Sequence, residues 1–295
     1  MKRFLSSVWL SVAVMAILTG GAWAAGSDVV GMAKPWQMNF QPPATPVMEK
    51  LEGLHHYLLI LIACIVVFVM GLLAYVCVRF SHKNNPTPSK NTHNTLIEVI
   101  WTVVPVMILV AIAIPSLRLH YFMDRAVDPE MTLKVTGYQW YWGYEYPDYD
   151  GLSFEAYLKK DDELKGEEPR LLTTDKPVVV PVDTTVRVLL TSADVIHSWA
   201  MPAFGVKTDA VPGRLNETWF RATRPGIYYG QCSELCGVNH GFMPIEIHVV
   251  EKDVFQQWVE RAKEGNYELS GLDIPKGGLV TGDETATGVT TAAKE

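Results

Sequence analysis

The chain has 295 residues, 48% of them hydrophobic, with 25 Lys and Arg against 32 Asp and Glu for a formal net charge of −7. That length fits one large domain or two ordinary ones, and the charge is unevenly divided: residues 1–119 carry 8 basic and 4 acidic side chains, residues 120–295 carry 17 and 28. An acidic C-terminal part argues against nucleic acid and anionic lipid as its partners and favours steering of a basic one, with ordinary solubility as the bland alternative that composition leaves open.

Residues 1–24 read as a secretory signal peptide. Lys2 and Arg3 precede an apolar run from Val8 to Leu18, and Ala22-Trp23-Ala24 supplies a small-x-small cleavage site. Residues 25–54 form an exported N-terminal segment, weakly patterned and expected to be extended to about residue 50. A helical hairpin follows over 55–119. Tyr57–Val78 is free of charge and about long enough to cross a bilayer, and Leu96–Leu117 is similar but carries Glu98. The connecting loop, 79–95, holds Arg79, Lys83 and Lys90 with no acid, which assigns it to the cytoplasm. The N-terminus and everything beyond the second span therefore lie on the exporting side. Cys64 and Cys77 in the first span read as small apolar packing residues.

From residue 120 to 268 the pattern is all-β: short runs at Thr132–Thr136, Trp140–Glu145, Val178–Val182, Thr185–Thr191, Glu217–Arg221, Gly226–Gly230 and Ile245–Val250, punctuated by Asp183-Thr184, Pro212-Gly213 and Pro225-Gly226. Such runs predict a sandwich or Greek-key barrel. Asp161–Pro169 is a charged surface loop. Val254, Phe255, Trp258, Val259 and Ala262 recur at helical spacing, predicting a helix that covers one end of the barrel. Residues 269–295 offer little to bury and read as a disordered tail.

The chemistry concentrates between Gly230 and Pro244, where Cys232, Cys236, His240 and Met243 lie within twelve residues. Thiolate, imidazole and thioether together select copper. A mononuclear electron-transfer loop needs one Cys, so the second thiolate means zinc, an iron–sulfur cluster, a disulfide or two bridged coppers. A disulfide leaves His240 and Met243 unexplained. Zinc has little use for Met243, and the spacing matches no finger or ribbon. An iron–sulfur cluster wants four thiolates or paired Cys-His motifs. With copper, two bridging thiolates serve both ions, and two imidazoles and two weak axial donors complete the set. His240 is the local imidazole, and His197, in Val195-Ile-His-Ser-Trp199, is the distant one. Met243 and the carbonyl of Glu234 are the axial donors.

Taken together, Glu98-Val-Ile-Trp-Thr-Val-Val-Pro105, Pro115-Ser-Leu-Arg118, Gln139-Trp-Tyr-Trp-Gly-Tyr-Glu-Tyr146, His197-Ser-Trp199, Lys207-Thr-Asp-Ala-Val-Pro-Gly-Arg214 and the Cys loop resemble subunit II of haem–copper cytochrome c oxidases of the mitochondrial and alphaproteobacterial haem a type. The resemblance runs from about Pro46 to Trp258. It implies a cupredoxin-like fold for the barrel and a dinuclear CuA centre bridged by Cys232 and Cys236, with His197, His240, Met243 and the Glu234 carbonyl as further ligands. It also implies that the Glu234 carboxylate faces a Mg²⁺ shared with subunit I, which holds the haem.

By itself the aromatic run at 139–146 reads as core or interface. The resemblance makes Trp140 the point where electrons enter from cytochrome c, near the acids Glu145, Asp148, Asp150, Glu155, Asp175 and Asp194, which would steer a lysine-rich donor. The family often has an acid where this chain has Gly151. Glu98 matches the entrance of a proton path into subunit I, and interfacial snorkelling is its bland alternative. The resemblance implies an electron-accepting subunit of a proton-pumping terminal oxidase in a bacterial inner membrane, with the metal domain in the periplasm and subunits I and III as neighbours. A stand-alone membrane-tethered cupredoxin for copper delivery or electron carriage is the alternative. The CuA domain of nitrous oxide reductase lacks such a hairpin, and a fused cytochrome c would need a Cys-x-x-Cys-His that is absent here.

Overall fold

The computed structural model describes residues 30–124, 128–166 and 168–272. The expected signal peptide and residues 273–295 of the expected tail lie outside them. The tail was expected to begin at 269, but Leu272 is buried and Leu269 packs against the core. Their apolar side chains draw the chain back onto the barrel.

Helix α1 spans Pro46–Arg79 and helix α2 spans Thr95–Asp124. Residues 46–50 are thus helical rather than extended. Thr45 caps α1, its hydroxyl accepting from Met48 N at 3.1 Å, and Pro46 at the first helical position already has the required φ. At 1.5 Å per residue, α1 is roughly 50 Å long, well beyond a hydrocarbon core of about 30 Å. The surplus lies at its N-terminal end, where α1 meets the barrel. Thr45 Oγ1 donates to Phe204 O at 2.7 Å, Ala44 N donates to Ala203 O at 2.9 Å, and Arg224 donates to the Pro43 carbonyl. From α2, the Phe122 ring meets Trp219 edge-on at 5.5 Å. The most apolar windows of both helices are wholly unburied, a distribution that only a bilayer or a partner tolerates. The chain is a membrane protein. Cys64 and Cys77 are free and exposed on this apolar surface.

Beyond the hairpin the domain is a two-sheet sandwich. Its strands are β1 (Val30–Gly31), β2 (Met131–Tyr138), β3 (Tyr141–Tyr146), β4 (Leu152–Ala156), β5 (Val178–Pro181), β6 (Val186–Ser192), β7 (His197–Met201), β8 (Val206–Ala210), β9 (Asn216–Phe220), β10 (Gly226–Cys232) and β11 (Pro244–Val250). One sheet runs β5-β11-β10-β7-β8 with β1 beside β10, and the other runs β4-β3-β2-β6-β9. Burial alternates strictly along β2, β3, β4 and β6, the mark of a sheet with one wet face. Leu133, Val135, Val188 and Leu190 from that sheet share a core with Met201, Ile245, Ile247 and Val249 from the other.

Helix α3 (Lys252–Lys263) buries all five residues of its predicted stripe. Trp258 packs on Tyr146, with ring centroids 5.5 Å apart. On β11, His248 and Glu246 form a buried pair at 2.8 Å, and Thr174 N donates to the same carboxylate at 2.6 Å. His248 is thus a strand residue occupied locally.

Candidate metal centre

Strand β10 ends at Cys232, the chain loops through 233–243, and β11 returns from Pro244. A short 3-10 turn over His240–Phe242 folds the loop inward, with His240 N donating to Gly237 O at 3.2 Å. Strand β7 lies beside β10, Cys232 opposite Trp199, which brings His197 to the loop from 35 residues upstream. The approach is close. A Cβ on Gly230 would lie 2.0 Å from the Ala200 carbonyl oxygen, so only glycine fits there. Ser233 N donates to Ser198 O at 2.9 Å and sews the loop to β7.

The donor atoms gather around the two sulfurs. Cys232 Sγ lies 3.8 Å from Cys236 Sγ, nearly twice the ~2.05 Å of a disulfide bond. The Glu234 carbonyl oxygen is 3.4 Å and His197 Nδ1 3.9 Å from Cys232 Sγ. His240 Nδ1 and Met243 Sδ are each 3.5 Å from Cys236 Sγ. Nitrogen and a weak donor therefore stand at both ends of a sulfur pair. The ligand atoms of His197, Cys232 and Cys236 lie within 4.8 Å of one another, and all three side chains are buried. No other group of three or more His, Cys, Asp or Glu side chains among the described residues is close enough to share an ion. The set fits a soft metal: thiolates, imidazoles and a thioether at spacings that leave room for an ion but not a bond.

Electrostatics prepares the sulfurs unequally. Burial pushes both thiols up. At Cys232, hydrogen bonds with His197, the backbone at Ser198 and Glu234, and His240 outweigh burial and bring the thiol down to about 6. At Cys236, burial and the adjacent Cys232 charge push the thiol up to about 12. The pair thus yields one proton readily and holds the other until a cation replaces it.

A second layer fixes the ligands. His197 Nε2 meets Asp194 Oδ1 at 2.9 Å, which fixes the ring with Nδ1 turned toward the sulfurs. Asp194 also accepts from Val195 N and Gln139 N, both at 2.6 Å. Burial works against its charge, but the bonds from His197, Val195 and Gln139 hold its carboxyl below the usual range. Gly137 stands against the His197 ring, where an added Cβ would meet Cδ2 at 2.8 Å. Trp142 Nε1 donates to Met243 O at 3.2 Å.

Trp140 is not on a strand. Gln139 and Trp140 form the turn between β2 and β3, and both reach the metal loop: Gln139 Nε2 donates to Cys236 O at 2.8 Å and Trp140 Nε1 to the same oxygen at 3.1 Å. Trp140 is half-buried, packed on the core while keeping an outer edge.

The acids named with it have varied engagements. Glu145 pairs with Lys134 at 2.7 Å, Asp148 accepts from Thr132 N, Asp150 pairs with Lys263 at 2.8 Å, and Glu155 and Asp175 both bond Tyr157. Asp194 differs from the rest, since both its oxygens serve the metal centre. A carboxylate three residues before a ligating histidine was the available signal, because such histidines usually donate their second N–H to a carboxylate. Gln139 had no comparable signal.

The Glu234 carboxylate is exposed on the loop. Val195 and Ile196, just before His197, and Leu235, Val238 and Phe242 on the loop are exposed apolar side chains. Glu98 sits far along the chain in the first turn of α2. Asn94 Oδ1 accepts from Ile97 N, and Glu98 Oε1 accepts from Asn94 N, both at 3.2 Å, so Glu98 helps cap the helix.

Residues 131–250 match the family model for the periplasmic domain of cytochrome c oxidase subunit II, and residues 33–119 match that for its transmembrane domain. A probable cytochrome c oxidase subunit 2 of Rickettsia felis is 55% identical over 225 residues, covering 76% of this chain and 71% of the relative. The cytochrome c oxidase subunit 2 of Cereibacter sphaeroides is 44% identical over 277 residues, covering 88% and 91%. That of Oenothera berteroana is 50% identical over 233 residues, covering 77% and 90%. A crystal structure of the periplasmic domain of subunit II of the cytochrome oxidase of Bradyrhizobium japonicum is 53% identical, with a TM-score of 0.45, covering 48% of this chain and 99% of that one.

Proposed function

The chain belongs to the cytochrome c oxidase subunit II family, a component of the haem–copper terminal oxidase, and on that premise we propose that it accepts electrons from a cytochrome c at Trp140 and delivers them to haem in subunit I. His197, Cys232, Cys236, His240, Met243 and the Glu234 carbonyl would hold a dinuclear copper centre. When bound, copper supplies a one-electron relay whose charge is shared across both sulfurs.

The chain's own residues supply the rest. Trp140 links the outer surface to the backbone of Cys236 through one hydrogen bond. Asp194 keeps the Nδ1 of His197 free for a metal. Burial of both cysteines, Met243 and His197 excludes water from the relay and limits ligand movement when the charge changes. The acids Glu145, Asp148, Asp150, Glu155 and Asp175 give the adjoining face a negative field suited to a basic donor. The exposed apolar side chains of the metal loop support its burial against subunit I, and the exposed Glu234 carboxylate suits a Mg²⁺ shared there. Glu98 would take protons at the cytoplasmic end of α2. The hairpin would sit in a bacterial inner membrane with the sandwich in the periplasm, in keeping with the basic 79–95 loop.

The observation that carries this reading is the pair of sulfurs 3.8 Å apart with an imidazole and a weak donor at each end. Copper analysis and EPR on the purified oxidase test it. Two coppers per chain with a delocalised mixed-valence signal are expected. A single copper, or zinc, overturns it.

A further inference from the structure

Helices α1 and α2 do not close on each other at the barrel end. A cleft of about 480 Å³ separates them, lined by Lys50, Gly53, Leu54 and Tyr57 from α1 and by Pro115, Arg118, Leu119 and Phe122 from α2. Each set follows the i, i+3, i+4, i+7 spacing of a helix face, so these are the two facing stripes. The space beside Gly53 is open: a Cβ there would meet nothing within 4 Å.

The floor of the cleft is apolar and its mouth is cationic. Lys50 Nζ reaches in to sit 4.8 Å from the centroid of the Phe122 ring. Neither Lys50 nor Arg118 is within ion-pair distance of a carboxylate among the described residues, although Glu49 and Glu52 occupy the same turn as Lys50. Arg118 follows directly on the apolar stretch 96–117, and Lys50 precedes the charge-free stretch beginning at Tyr57 by about two helical turns. Both cations thus stand at the depth of lipid headgroups, and the groove below them opens toward hydrocarbon. Unpaired cations over an apolar slot suit a ligand with an anionic head and a hydrocarbon tail. Lys50 and Arg118 are the charged residues that line the cleft.

We propose that this cleft binds an anionic phospholipid, with its phosphate between Lys50 and Arg118 and an acyl chain descending past Leu54, Tyr57 and Pro115. The inference rests on the two helices crossing a membrane and not on the copper reading.

The test uses the assembled oxidase, delipidated and returned to phosphatidylcholine nanodiscs carrying a trace of photoactivatable phosphatidylglycerol, with cross-links mapped by mass spectrometry. Labelling is expected on 50–57 and 115–122, and excess inorganic phosphate is not expected to compete. Lys50→Gln with Arg118→Gln should lower it roughly fivefold per charge removed. Gly53→Leu should also lower it, by filling the slot with no change of charge. Co-purification with the partner subunits reports that each variant is assembled, and if Gly53→Leu does not assemble the charge variant decides alone. Three results overturn the proposal: equal labelling by a phosphatidylcholine probe, labelling unchanged in the charge variant, or no labelling of these segments because a neighbouring subunit fills the cleft.

Discussion

The indole Nε1 of Trp140 donates to the carbonyl of Cys236 at 3.1 Å, so a half-exposed ring on the β2–β3 turn touches the backbone of one of the two paired cysteines directly. Replacing Trp140 by Phe keeps most of the packing and deletes that one donor. Gln139 Nε2 still bonds the same oxygen, so the stability loss should be about 1 kcal/mol. Electron entry from reduced cytochrome c, followed by stopped-flow, should slow while copper content holds. An unchanged entry rate would remove Trp140 from the route.

Asp194→Asn tests the second layer. The amide can still meet one backbone donor but loses the charge that orients His197. Loss of such a partner commonly costs 10–100-fold in metal affinity, and about that is expected here. Competition with a copper chelator measures it. The same variant should alter the EPR hyperfine pattern, which a change in surface steering alone would leave untouched.

Much of this centre was legible in sequence because its donors are chemically unusual and four of them fall in one loop. His197 was legible because its imidazole follows a β run, whereas the other seven histidines fall in or beside the hairpin, in the metal loop or within a strand. The turn carrying Trp140 was not, since Gln139 and Trp140 sit among aromatics that pattern like a strand. Strands β4, β7 and β8 were missed for different reasons. β7 is buried on both faces and shows no alternation, and β8 carries Lys207 and Asp209 on its outer side. β4 follows the turn at Tyr149–Gly151, where Asp150 has φ 58° and Gly151 φ 69°, so its short run reads as loop. The phospholipid cleft was invisible because it depends on how far two helices stand apart.

Gly137 sets how closely β2 approaches His197. Gly137→Ala would put a methyl 2.8 Å from the ring carbon Cδ2. The ring must move, at a cost of roughly 1–3 kcal/mol, and its Nδ1 moves with it. Thermal unfolding of the apo-protein and copper stoichiometry should both fall. Normal copper binding with full stability would mean that the sheet relaxes freely at this point.

The charged loop at 159–173 should loosen in acid. Burial works against the Glu168 charge, but bonds from Lys159 Nζ at 2.8 Å and Lys165 N at 3.0 Å hold its carboxyl below the ordinary value of 4.5. A depressed folded value means the contribution is present above the unfolded value and is lost as pH falls through the folded one. Protection of this loop against hydrogen exchange, taken relative to the intrinsic rate at each pH, should therefore be high at neutral pH and fall below about 4.5. Glu168→Gln should remove that pH dependence, and a loop equally protected at acid pH in both forms would contradict it.

Glu98 has two roles that one substitution confounds and two can separate. Its carboxylate accepts from Asn94 N at 3.2 Å and so helps start α2, and the same group is proposed to take up protons. Glu98→Ala removes both roles and should also cost about 1 kcal/mol of helix capping. Glu98→Gln keeps an oxygen that can accept from Asn94 N but carries no exchangeable acid proton. If Glu98 is the proton entrance, both variants should slow proton uptake during reduction of the oxygen site, with the copper EPR signal intact. If it only caps, Gln should behave as wild type and Ala should lose stability without a specific defect in proton uptake. Time-resolved proton uptake in reconstituted oxidase distinguishes the two, because a cap responds to hydrogen-bond geometry and a proton entrance to acidity.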